Sequence, residues 1–196
     1  MMMILLTDVA RAILAEADHL TALDQAIGDG DHGINMKRGM EAVLDGLPKL
    51  ADTPPGKMLQ EVGMKLVMNI GGASGPLFGT LAMELGKALP ADAKRADFAR
   101  AVASAVAAVA ARGRSELGQK TMLDVLIPVS KALSAGKSPA EIKAVALAAA
   151  EATIPVQATR GRASFLGERS IGHMDPGARS SAVIIAVLCD RVAELS

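Results

Sequence analysis

No stretch of this chain sustains the apolar–polar alternation that a half-buried strand requires, whereas helical periodicity recurs throughout, broken by glycine and proline. Composition explains the bias. The hydrophobic fraction is 51%, much of it alanine, while aromatics make up 2% with no Trp or Tyr. Alanine is the strongest helix former, and sheets draw on the aromatic residues that are scarce here. The periodicity predicts helices at roughly 7–19, 33–46, 56–69, 75–88, 96–112, 119–134, 139–153 and 176–194. Ser138-Pro139-Ala-Glu141 combines an N-cap serine, a proline at the first helical position and the glutamate of a capping box. Asp175-Pro176 repeats the cap-plus-proline pattern, and residues 49–56 read as a turn or short loop. With no internal repeat and mostly short connections, the expectation is one all-α domain over residues 1–196, about eight helices in up-and-down order.

The bulk properties exclude several classes. Basic and acidic residues balance at 21 each, so neither nucleic acid nor an anionic membrane is an expected partner. The single Cys189 excludes an internal disulfide, fits a reducing compartment and lies in an apolar run that predicts a packed core thiol. The opening Met1-Met-Met-Ile-Leu-Leu6 lacks a basic leader and meets Thr7-Asp8 at once, so it is not read as a signal peptide. No run approaches the roughly 20 apolar residues that span a bilayer. The expectation is a soluble, cytoplasmic protein.

Against this background one segment carries unusual chemistry. Asp24-Gln-Ala-Ile-Gly-Asp29-Gly30-Asp31-His32-Gly33 places three carboxylates and three glycines in ten residues. Carboxylates this close repel one another unless they share a cation, and glycine permits the bends that let them converge. On a continuous helix Asp24 and Asp29 would point about 140° apart, so the spacing predicts a loop folded around metal. Oxygen-only ligands favour Mg²⁺ or Ca²⁺.

Other segments supply complementary groups. Gly71-Gly72-Ala73-Ser74-Gly75-Pro76 opens a helix, where unpaired N–H groups and small residues can cradle phosphate; a glycine-softened helix junction would look the same. Gly118-Gln119-Lys120-Thr121-Met122-Leu123-Asp124 reads as a helix start. Residues 154–175 form a long polar connection with three arginines, either an anion-covering lid or a solvated loop. His32 and His173 stand in polar, glycine-containing loops as possible ligand contacts, while His19 reads as a capping or surface residue. Carboxylate-bound Mg²⁺, helix-start amides and covering arginines together suit phosphoryl transfer, and nothing resembles an activated nucleophile.

These stretches resemble the L subunit of the dihydroxyacetone kinase family across nearly the whole chain. The resemblance rests on Leu23–Met36, on Gly71–Thr80, on Gly118–Met122 and on Gly161–Gly177, four motifs in order. It implies an eight-helix antiparallel barrel with ADP or ATP at one end. It also implies that Asp24, Asp29 and Asp31 act catalytically by holding a pair of Mg²⁺ ions. His32, Gly33, Ile34, Asn35, Ala73 and Ser74 match positions at the phosphates or metal-bound groups. Gly118 and Met122 match the adenine site, Arg162 a lid contact, and Asp175, Pro176 and Gly177 the turn closing over the nucleoside. Gln119 departs from a common aspartate and Phe165 from a frequent tyrosine.

The resemblance further implies a separate K subunit that holds dihydroxyacetone covalently through a histidine, a domain for which 196 residues leave no room. Two versions are open. In one, retained ADP is rephosphorylated by a phosphotransferase-system M subunit; in the other, ATP exchanges as substrate for dihydroxyacetone or a related ketose. The length favours the first. A nucleotide-dependent regulatory binding protein is the alternative of a different class, and a homodimer is a further assembly the resemblance allows.

Overall fold

In the computed structural model, which describes residues 1–194, the opening methionines join the first helix instead of preceding it. Helix α1 spans Met2–Ile27, beyond the expected 7–19 in both directions. Met2, Met3 and Leu6 pack on the core near its start, and Leu20, Asp24 and Ile27 continue the buried stripe near its end. Tertiary burial of one face, more than local propensity, sets how far a helix runs. Asp24 consequently lies in the last turn of α1, which corrects the expectation that all three carboxylates share one loop.

After a bend at residues 28–31 come α2 (His32–Gly46), a 3-10 turn (Leu47–Leu50), α3 (Pro55–Asn69) and α4 (Ser74–Ala88). Then follow α5 (Arg95–Gly113), α6 (Leu123–Ser134), α7 (Pro139–Glu151), a 3-10 segment (Arg162–Ser170) and α8 (Pro176–Glu194). No strand occurs among the described residues. Each α-helix packs on the next, and α8 returns onto α1 to close the ring. The eight-helix all-α architecture expected from the sequence is therefore the observed one. Its interior is filled mainly by Ile13, Leu20, Met36, Met40, Val43, Leu66, Val109 and Leu123. A second cluster, rich in alanine, joins α6, α7 and α8 through Val125, Val129, Ile142, Ala146 and Ala182, with the half-buried Cys189 against it.

One further boundary and one connection differ from expectation. Helix α6 starts at Leu123 and not at 119, because the Asp124 carboxylate accepts from the backbone N–H of Gly118 and of Thr121, both at 2.7 Å. Side chains that capture nearby N–H groups in this way compete with helix formation. The 154–175 connection is not structureless: its 3-10 segment is kinked at Gly167, where φ is +57°. The Ser138 cap forms as expected, with Glu141 N–H donating to Ser138 Oγ and Ser138 N–H to Glu141 Oε2.

Helices α3 and α4 meet backbone to backbone. A Cβ at Gly79 would lie 2.8 Å from the Gly63 carbonyl oxygen, and one at Gly86 would lie 2.3 Å from that of Gly56. Gly86→Ala would gain roughly 1 kcal/mol in helix propensity, yet the overpacking is worth more where backbone must retreat. We expect a net loss of about 1–3 kcal/mol of unfolding free energy, seen as a lower urea midpoint at unchanged slope.

Candidate active site

The bend between α1 and α2 is built around one carboxylate. Asp24 Oδ2 accepts from the N–H of Asp31 at 2.8 Å and of His32 at 3.1 Å. Gly28 lets the chain turn there, since a Cβ at that position would lie 2.2 Å from Asp24 Oδ1. Gly30 follows with φ at +74°, a conformation glycine adopts without strain. The result brings ligand oxygens of Asp24, Asp29 and Asp31 within 4.8 Å of one another, Asp24 buried and the other two exposed. Such a cluster suits a hard divalent cation, which would relieve the mutual repulsion. The Arg162 guanidinium reaches Asp29 Oδ2 at 2.9 Å from the start of the Arg162–Ser170 segment.

His32 ties this bend to two other helices. Its Nδ1 stands 3.0 Å from Ser74 Oγ at the start of α4, and its Nε2 stands 3.1 Å from Ser180 Oγ in α8. Burial pushes the imidazole down to about 4 despite the nearby Asp24 charge, so the ring is neutral at pH 7. Beside it, the first turn of α4 follows Gly71-Gly72-Ala73 and leaves backbone N–H groups without intrahelical partners.

Asp175 closes the far wall. Its Oδ2 accepts from Ala178 N–H at 2.6 Å, capping α8, and its own N–H donates to Thr153 Oγ1 at 3.0 Å. Burial pushes its carboxyl up to about 7, the Ala178 N–H opposing and the charges of Asp124 and Asp24 adding to the rise.

These groups surround a cavity of about 170 Å³. Of the residues singled out from the sequence, Asp24, Asp29, Asp31, His32, Ala73, Ser74, Met122, Arg162, Asp175, Pro176 and Gly177 line it. Gly33, Ile34, Asn35 and Gly118 do not. Gly33 serves helix packing, as a Cβ there would lie 2.0 Å from the Ala17 carbonyl oxygen. Ile34 is 61% exposed, and Asn35 Oδ1 accepts from Arg38 Nη2 at 2.8 Å. Gly118 is bound through its N–H to Asp124. His173 is exposed and outside the cavity, and His19 is a surface residue beside Glu16.

Sequence reasoning did not single out Lys120, Thr121 or the apolar walls Ile27, Leu77 and Phe78, and it read Arg160 only as one of three arginines in the 154–175 connection; all of these line the cavity. Lys120 lay inside a motif already singled out, but a lysine reads as a surface residue until its burial is seen. Ser180 carried no signal beyond its place in an apolar helix.

The raised Asp175 carboxyl has a testable consequence. Its folded value near 7 exceeds the ordinary 3.8, so the folded state holds the proton more tightly and stability falls as pH rises from about 4 to 7. Asp175→Asn keeps an oxygen for the Ala178 cap and removes the titration. In protein freed of metal and nucleotide, denaturant midpoints measured between pH 4 and 8 are expected to decline less in the variant.

Several known proteins are similar. The DAK2 domain family profile matches residues 26–190. The ADP-binding subunit DhaL of the PEP-dependent dihydroxyacetone kinase of Escherichia coli is 42% identical over 183 residues, 88% of this chain and 87% of that subunit. The corresponding subunit of the PTS-dependent kinase of Lactococcus lactis is 38% identical over 178 residues, 89% and 88% of the two chains. Triokinase/FMN cyclase of Homo sapiens is 33% identical over 199 residues, 96% of this chain and 34% of that protein. The crystal structure of the dihydroxyacetone kinase of C. freundii shares the fold, with a TM-score of 0.79 at 24% identity over 97% of this chain. A second structure of that kinase, in complex with AMP-PNP and Mg²⁺, matches with the same TM-score. This chain spans about a third of the length of that solved kinase, 34% of it.

Proposed function

The chain belongs to the DAK2 domain family, and we propose that it is the nucleotide-binding subunit of a dihydroxyacetone kinase, holding ADP or ATP with Mg²⁺ at one end of the helical ring. The observation that carries this reading is the convergence of Asp24, Asp29 and Asp31 beside the first turn of α4 and beneath the arginines of the 154–175 segment. The donor set fits Mg²⁺: all-carboxylate oxygen, two of the three groups exposed, with room left for phosphate and water ligands. Names of relatives point the same way, being ADP-binding subunits in Escherichia coli and Lactococcus lactis.

Bound there, a pair of Mg²⁺ ions would neutralise phosphate oxygens and the nucleotide would carry the transferable phosphoryl group. Asp24 keeps the bend in place through its two N–H partners while it, Asp29 and Asp31 hold the metals. Ala73 and Ser74 offer N–H groups at the start of α4 to the phosphates. Arg160 and Arg162 cover the charge from the lid, and Met122, Leu77 and Phe78 supply apolar wall for the nucleoside. Pro176 and Gly177 close the turn over it, with Asp175 anchoring that turn from beneath.

His32 and Ser74 stand within hydrogen-bond distance in the cavity, and a division of labour reads that contact as a tether between α2 and α4 and not as an activated nucleophile. Dihydroxyacetone would be held by a separate K subunit, and retained ADP would be rephosphorylated by an M subunit in a cytoplasmic phosphotransferase chain. The PEP-dependent and PTS-dependent relatives support this version. The likeness to triokinase favours a second reading, an ATP-dependent kinase of dihydroxyacetone or a related ketose.

Denaturing the purified protein is expected to release stoichiometric ADP; an empty site would favour exchanging ATP. Asp29→Asn is expected to lower phosphoryl transfer, assayed with a dihydroxyacetone-binding partner subunit, by about 100-fold or more, leaving helical circular dichroism intact. Normal turnover in that variant would remove Asp29 from the metal set.

A further inference from the structure

Lys120 is only 1% exposed, although lysine is almost never fully buried without a partner. It sits in the turn between α5 and α6 with φ at +63°, a left-handed conformation uncommon for a residue with a side chain. The Asp124 carboxylate maintains that turn by taking the N–H groups of Gly118 and Thr121. The strained backbone aims the ammonium away from solvent and under the lid. There Nζ donates to the carbonyl oxygens of Ser170 at 2.7 Å, Val156 at 2.9 Å and Ile154 at 3.4 Å. An ammonium has three N–H donors, and all three are matched.

The acceptors are informative because they lie at both ends of one segment. Ile154 and Val156 begin the lid, and Ser170 ends its 3-10 stretch. Between them stand Arg160 and Arg162, which line the cavity. Further bonds join the same seam, with Ala158 N–H donating to Ser170 Oγ at 2.9 Å and Thr159 N–H to the Gln119 carbonyl at 3.3 Å. Thr121 and Met122, next in the chain after Lys120, line the same cavity.

We propose that Lys120 is a positioning residue whose ammonium cinches the two ends of residues 154–170 together, and so sets where Arg160 and Arg162 stand over the cavity. Its effect on ligand rests on the nucleotide-binding reading above; its effect on the lid does not. The compact ammonium is required because three converging carbonyls suit radial donors, not the planar fork of an arginine. A neutral isostere forfeits three charge-assisted bonds and leaves the Ser170 and Val156 carbonyls without this donor, while Ile154 keeps the Gly172 N–H at 2.8 Å.

The test compares the wild-type chain with Lys120→Met, and with Lys120→Cys in a Cys189→Ser background. The latter is alkylated in denaturant with 2-bromoethylamine, which restores an ammonium at nearly the lysine length, and refolded. Limited trypsin digestion without ligand reads cleavage after Arg160 and Arg162, and stopped-flow displacement reads ADP dissociation. Lys120→Met is expected to be cut in the lid at least about tenfold faster and to release ADP at least about tenfold faster, while the alkylated protein returns towards wild type in both. Wild-type cleavage and ADP release in Lys120→Met would overturn the proposal. So would an alkylated protein, helical by circular dichroism, whose lid is cut as fast as before alkylation. If Lys120→Met does not fold, the Lys120→Cys protein before and after alkylation decides. If wild-type protein binds no ADP, the nucleotide assignment fails while the trypsin comparison still judges the strap.

Discussion

The end of the ring that carries the cavity depends on the carboxylate of Asp24. It belongs to the last turn of α1, yet it accepts from the N–H groups that open α2, so one side chain ends one helix and orients the next. Charged acceptors make the stronger hydrogen bonds, and this one is buried. Without it the bend would have no fixed angle, and Asp29 and Asp31 would not be held beside it. The same bend sets His32 between Ser74 and Ser180, which registers α4 and α8 against the carboxylates.

Charge is distributed with the same economy. Three carboxylates converge where a divalent cation can join them, and a lid guanidinium already reaches one of the three. Deeper in, burial holds His32 neutral and raises Asp175, so the wall behind the cluster carries less charge than its residue types suggest. On the lid side the Lys120 ammonium donates its hydrogen bonds to carbonyl oxygens, with the Asp175 carboxyl near enough to feel its charge. Of the two lid arginines that line the cavity, Arg162 is held by Asp29, and Arg160 forms no ion pair among the described residues.

Much of this was legible before the fold was known. The glycines among Asp24, Asp29 and Asp31 announced convergence, because like charges at that spacing need a reason to coexist. Ser74 and Asp175 were marked by glycine and proline at helix starts, signals that depend only on near neighbours. Gly33, Ile34 and Asn35 sit in the same motif but face other tasks: packing on α1, solvent, and a bond to Arg38. A motif read along the chain cannot separate these, since neighbours on a helix point in different directions. Leu77 and Phe78 were missed for the converse reason, as nothing local marks an apolar side chain that meets the cavity.

By itself, then, the sequence determined the helical class, the number of helices and the acidic bend, because periodicity, propensity and capping act over a few residues. Only the tertiary structure decided that Asp24 is helical, that Lys120 is buried and that the 154–170 segment is ordered. Those outcomes turn on burial and on partners far along the chain. Lys120 and Ser170 are 50 residues apart in sequence and 2.7 Å apart in space, a separation no local pattern encodes.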